Sequence, residues 1–118
     1  EAGAPAWFEL RTPEFDRAVA FYRAVFGWDT EDLPGDHDIR YTTMRHPDAP
    51  MAGIFGDPEP AARSSWAVYF AVAEVDGALE TVTKLGGTAD TPFDSPYGRM
   101  AAVTDPYGAA FRIVAASG

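Results

Sequence analysis

The feature that most constrains this chain is a strand–helix–glycine pattern that occurs twice. In the first copy, Thr12 to Trp28 reads TPEFDRAVAFYRAVFGW. Phe15, Val19, Tyr22 and Phe26 recur at helical spacing and place one apolar stripe along an α-helix. Thr12 is placed to cap the helix N-terminus, Pro13 suits the first helical position, and Glu14 complements the positive end of the helix dipole. Gly27 suits a left-handed stop, after which Trp28 can fold back toward Tyr22. About sixty residues later the pattern returns. Val75, Leu79, Val82 and Leu85 repeat the spacing, and Gly86-Gly87 supplies the stop. The strands ahead of the two helices also correspond, with Phe8 and Leu10 matching Val68 and Phe70. One module is written twice.

Read in order, Ala6 to Arg11 is a first strand, with Phe8 and Leu10 under the helix and Trp7, Glu9 and Arg11 on the opposite face. Trp28 to Leu33 is a short strand ending at the Pro34-Gly35 turn, and Asp36-His37-Asp38 is an acidic loop. Ile39 to Arg45 and Met51 to Phe55 are strands, separated by a turn that holds Pro47 and Pro50. Gly56 to Ser65 is a polar linker. The second module opens with the strand Trp66 to Val72, and its helix starts at Glu74 or Asp76. Thr88 to Phe93 is a strand, Asp94 to Gly98 a loop, and Arg99 to Thr104 forms a hairpin with Ala109 to Ala115 across Asp105-Pro106-Tyr107-Gly108. The predicted class is therefore α+β, with two βαβββ modules over about residues 5–56 and 65–116 of a single domain.

Composition narrows the partners. A net charge of −9 over 118 residues argues against nucleic acid or an anionic membrane, both of which need a basic face. The chain has no Cys, which removes disulfides, thiolate nucleophiles and zinc–thiolate sites together. No apolar run approaches the roughly 20 residues of a membrane span. EAGAPA at the start lacks the pattern of a signal peptide, so the cytoplasm is the expected location. The start on Glu1 rather than Met leaves open that the chain is a piece of something longer.

The residues FYRAVFGW after a strand, a repeat at about sixty residues, and DPYGAAFRI near the end together resemble the vicinal oxygen chelate superfamily, the glyoxalase, bleomycin-resistance and extradiol dioxygenase fold. WFELRTPEFDRAVAFY and WAVYFAVAEVDGALE are most similar to its glyoxalase-like or hydroxylase-like branch, whose members often carry two such domains in a row. The resemblance implies curled mixed sheets that form a cup, with the helices outside and a ligand or metal inside. It also implies positions for metal ligands, and here these fall on Trp7, Ala67, Arg112 and the Met51–Phe55 strand. None supplies a ligand-type side chain, and a guanidinium repels a metal rather than binding it. The expectation is no metal and no cofactor.

His37 and His46 lie in predicted loops without spaced partners, a solvated pattern rather than a metal site. Glu9 is different, because it alternates with Phe8 and Leu10 and so faces the cup. Arg112 alternates with Phe111 and Ile113 and faces the same interior, where the two are expected to meet as a pair or to anchor a ligand. With Trp7, Tyr41, Phe55, Tyr69, Tyr97 and Met100 they make an aromatic lining with few polar groups, the usual make-up of a small-molecule site and also of a core. Three functions follow from this reading. One is metal-independent binding of a small, aromatic or planar ligand, the second is an enzyme with Glu9 as acid or base, and the third is a non-catalytic partner domain. The resemblance also implies a homodimer.

Overall fold

The computed structural model describes residues 2–32, 40–47, 49–95 and 97–116. Among them the order is β1 (Pro5–Thr12), α1 (Phe15–Phe26), β2 (Asp29–Asp32), β3 (Arg40–Arg45), β4 (Pro50–Gly56), β5 (Ser65–Val72), α2 (Val75–Lys84), β6 (Thr88–Ala89), β7 (Phe93–Ser95), β8 (Gly98–Thr104) and β9 (Ala110–Ala115). The class is α+β. No helix among the described residues is long and apolar enough to cross a membrane. The chain divides into two compact units, Trp7–Trp66 on the one hand and Glu1–Ala6 with Ala67–Gly118 on the other.

In the Trp7–Trp66 unit the strand order is β2-β3-β4-β1. β2 and β4 flank β3 antiparallel, and β1 joins β4 in parallel. Alternation along the strands sends Leu10, Met44 and Ile54 to the face that α1 covers. There they are buried, with Phe15, Ala18, Val19, Tyr22 and Trp28 packed round them. This is the apolar stripe read from the sequence with Ala18 added and without Phe26, which is 51% exposed. Gly27 ends α1 with φ 70°, and its N–H donates to the Arg23 carbonyl at 2.8 Å. Only glycine holds that conformation without a Cβ penalty. Trp28 then stacks on Phe26, with ring centroids 4.6 Å apart, and Trp66 Nε1 donates to Tyr22 Oη at 3.1 Å.

In the second unit β5 and β9 pair in parallel, β8 pairs antiparallel with β9, and β6 and β7 both pair with β8. Val75, Ala101, Val103 and Ile113 form its buried core, and Ala78, Leu79 and Val82 of α2 pack on it. Glu74 caps α2, its carboxylate accepting from the Asp76 N–H at 3.1 Å and the Gly77 N–H at 2.7 Å. The hairpin turn closes on Asp105, whose Oδ1 accepts from the N–H groups of Tyr107 and Ala109. The first residues of the chain belong to this unit. Gly3 N–H donates to the Ala71 carbonyl, and Ala71 N–H donates to the Ala4 carbonyl.

Four expectations change. Helix α1 starts at Phe15, so Pro13 lies ahead of the first turn and Glu14 is the cap residue. Thr12 is held in β1 opposite Gly56, buried, with its hydroxyl sharing a hydrogen bond with Ser64 Oγ and accepting the Glu14 N–H. Phe8 does not enter the core beneath α1 and is 44% exposed. The single strand expected over Thr88–Phe93 is two short ones, β6 and β7, separated by residues 90–92. Pro92 there has no N–H to donate to a ladder. The second module thus keeps its βαβββ plan, with the first strand after the helix broken in two. The Pro34-Gly35 turn and the Asp36-His37-Asp38 loop lie outside the described residues.

Candidate functional site

The site begins with strand alternation. Because Leu10 and Ile54 face α1, Glu9, Arg11, Gly53 and Phe55 face the other way. The parallel register sets Glu9 opposite Gly53 and Arg11 opposite Phe55, and the antiparallel register adds Tyr41 beside Phe55 and Thr43 beside Gly53. Trp7, two residues before Glu9, shares this face. One sheet face thus gathers Trp7, Glu9, Arg11, Tyr41 and Phe55, where the opposite face carries the core.

These side chains engage one another. Trp7 Nε1 donates to Tyr41 Oη at 3.0 Å. Arg11 Nη1 donates to Glu9 Oε1 at 2.7 Å, and the Arg11 guanidinium lies 4.2 Å from the centroid of the Phe55 ring. Glu9 is only 7% exposed. A charge that far from water needs a partner, because leaving it alone costs several kcal/mol (of the order ~3–5). Gly53 makes the arrangement possible. A Cβ there would fall within the hydroxyl and ring of Tyr41, so the absence of a side chain lets Tyr41 lie across the strand.

The other expected site residues distribute as follows. Tyr69 is buried in β5 and pairs in register with Arg112 of β9, whose guanidinium is 5.8 Å from the Tyr69 ring centroid. Met100 lies on the same face of β8, opposite Val114. Tyr97 is 75% exposed and joins neither group. His46 is exposed in the turn before β4, and His37 lies outside the described residues. Glu9 forms an ion pair with Arg11, on its own strand. Sequence reasoning put Arg11 on the right face but gave it no role, although two residues apart on a strand is the spacing at which neighbours share a face. Gly53 carried no signal beyond being a glycine inside a strand, which itself marks close approach of another group.

A concavity sits elsewhere, at the start of α1, between Phe15, Arg40 and Asp57. Its charges are spoken for. Arg40 grips Asp16 with two hydrogen bonds, at 2.6 and 3.1 Å, and lies over the Phe15 ring. The hydrogen bond from Arg40 holds the Asp16 carboxyl below its ordinary value, against a small opposing effect of burial. Both side chains are well exposed, so this is a surface pair of modest weight.

Members of this fold that use a metal need ligating side chains on the sheet faces, and the groups here do not fit one. The Trp7 nitrogen is a hydrogen-bond donor, Arg112 is a cation, and the Glu9 carboxylate is neutralised by Arg11. Among the described residues no three His, Cys, Asp or Glu side chains come together as a metal site.

Comparison with known proteins agrees with the fold. The model of the Glyoxalase/Bleomycin resistance protein/Dioxygenase superfamily matches residues 4–113. The chain is 34% identical over 116 residues to the candidate glyoxylase CFP32 of Mycobacterium tuberculosis, which covers 97% of this chain and 44% of that protein. It is 34% identical over 127 residues to the anthracycline biosynthesis protein DnrV of Streptomyces peucetius, covering 94% of this chain and 46% of that protein. The chain thus spans less than half the length of these curated relatives. Among solved structures, a Streptomyces coelicolor methylmalonyl-CoA epimerase shares the fold over 100% of both chains, with a TM-score of 0.69 at 15% identity. Family match, relatives and fold point the same way, and the chain belongs to the glyoxalase/bleomycin resistance protein/dioxygenase superfamily.

Proposed function

We propose that this chain binds a small planar aromatic molecule, without a metal or other cofactor, on the sheet face that carries Trp7, Glu9, Arg11, Tyr41 and Phe55. The observation behind this is the contrast between the two faces of one sheet. The face toward α1 is built as a core, from Leu10, Met44 and Ile54. The opposite face sets an ion pair, its acid shielded and its arginine partly exposed, among three aromatic side chains, with Tyr41 laid across Gly53. A face that served packing alone would gain more from aliphatic residues than from a desolvated pair. An apolar surface with a few fixed polar groups is the usual composition of a small-molecule site.

The relatives lend weight to the ligand class. The name of DnrV places that protein in anthracycline biosynthesis, and anthracyclines are fused planar aromatics. Titration of the protein with a panel of planar aromatics, followed by indole fluorescence and by melting temperature, tests the reading. Saturable quenching with a rise in melting temperature is expected, since a ligand that binds only the folded state stabilises it. Trp7→Ala should weaken binding about tenfold, in line with the loss of one aromatic contact of 1–1.5 kcal/mol. A face that took no ligand of the panel would leave only the partner-domain reading.

A second reading makes the same face catalytic, with Glu9 moving a proton on the bound molecule. The place of Glu9 among the aromatic side chains of this face favours it, because a general acid or base must lie within reach of the bound molecule. Glu9→Gln separates the two readings. Binding retained with turnover lost marks an enzyme, and turnover that survives the substitution contradicts a proton-transfer role.

A further inference from the structure

The ion pair on this face also bears on which aromatic ligand it takes. This inference rests on the binding reading above and deepens it. Arg11 carries five N–H donors in one plane. One of them is engaged by Glu9 Oε1 at 2.7 Å, and the guanidinium is laid against Phe55 with its carbon 4.2 Å from the ring centroid. Held by one carboxylate oxygen and a ring, and with its side chain 28% exposed, the guanidinium keeps further N–H donors for another acceptor. Tyr41 is the cross-strand neighbour of Phe55 and is tied to Trp7. A flat molecule that stacks on Trp7 and Tyr41 with an acceptor on its edge would find those donors on the same sheet face.

The charge balance selects among edges. Glu9 already compensates Arg11, and the Arg11 side chain is 28% exposed and that of Glu9 10%. A ligand carboxylate would bring a second negative charge up to a pair that is neutral as it stands, and would be desolvated in doing so. A hydrocarbon edge would leave the arginine donors facing an apolar group, losing their water without replacement. A neutral carbonyl oxygen avoids both costs. It accepts a charge-assisted hydrogen bond and adds no net charge.

We infer that the ligand is a neutral planar aromatic bearing a carbonyl oxygen at its edge, an aryl ketone or quinone, and that Arg11, its charge balanced by Glu9, is the group that selects it. Discrimination then depends on the pair and not on the arginine alone. Neutralising the acid alone should reverse the preference between ketone and carboxylate.

Three probes on one ring system test this: 1-acetonaphthone, naphthalene and 1-naphthoate, titrated against the wild type, Arg11→Met and Glu9→Gln. The wild type should bind the ketone about tenfold more tightly than naphthalene, the scale of one hydrogen bond from a charged donor, and should bind the carboxylate no better than naphthalene. Arg11→Met should bring ketone and naphthalene to the same affinity while naphthalene binding persists. Glu9→Gln should make 1-naphthoate the tightest of the three. The wild-type ranking needs no variant, so it stands even if a substitution harms folding. Equal wild-type affinity for all three probes, or a preference for the carboxylate, overturns the inference and leaves aromatic binding intact. Binding of none of the three overturns the inference and the binding reading together.

Discussion

Gly53 and Thr42 sit on opposite faces of adjoining strands and make opposite demands. At Gly53 any side chain meets Tyr41, so Gly53→Ala should push that ring aside, break its hydrogen bond with Trp7 and cost roughly 1–3 kcal/mol, as overpacking does. A shift in indole fluorescence alongside a lower denaturant midpoint would report it, and an unchanged spectrum would mean that Tyr41 does not lie across Gly53. Thr42 is 1% exposed, and its hydroxyl has no hydrogen-bond partner among the described residues. A buried hydroxyl without a partner is destabilising, so Thr42→Val should raise stability by about 1 kcal/mol, measured by urea unfolding; a loss of stability would show that the hydroxyl is satisfied. Neither residue was legible in the sequence, because a two-residue period tells which face a side chain takes but not what crosses to meet it. Glu9 was legible as an inward-facing acid by that period. The partner expected for it was Arg112, on the last strand, whereas the ion pair seen is with Arg11 two residues away on its own strand.

The elements themselves were largely legible, and they failed where local chemistry competes. Both helices pack most of the stripe expected of them, α1 without Phe26 and α2 without Leu85, and both are followed by glycine at positive φ, at Gly27 and Gly86. The start of α1 was misplaced because Thr12 has two possible uses, and the strand takes it. At α2 the cap is Glu74, so Glu74→Ala should lower stability by about 1 kcal/mol, the usual weight of a helix cap, and a calorimetric scan showing no change would contradict that role. Helix α1 is also tied down at its first turn by Asp16 and Arg40. The Asp16 carboxyl is held below its ordinary value of 3.8 in the folded state. The pair's contribution is therefore present above that value and is lost as the pH falls through the lower, folded-state value. The melting temperature of the wild type should exceed that of Asp16→Asn at neutral pH, and the gap should close in acid. A gap that widened in acid would reverse the sign of the linkage.

At the scale of the whole chain, the duplication read from the sequence is real in each unit, as a helix packed on one face of a small mixed sheet. The second copy is the less regular, because Asp90-Thr91-Pro92 interrupts the strand that the first copy would have led one to expect. The homodimer remains a proposal. Helix α1 leaves Phe21, Val25 and Phe26 exposed by 59, 54 and 51%, an apolar surface that a second copy of the chain would cover. Sedimentation should then give twice the chain mass, and a monomer at every concentration would end the idea. The central claim concerns the other side of the sheet, where Trp7, Tyr41 and Phe55 surround the Glu9–Arg11 pair. Its most direct test is calorimetric titration of the metal-free protein with 1-acetonaphthone, beside the Trp7→Ala variant. The account predicts saturable binding at one site per chain that Trp7→Ala weakens about tenfold; no binding in the metal-free protein, or binding that Trp7→Ala leaves unchanged, would contradict it.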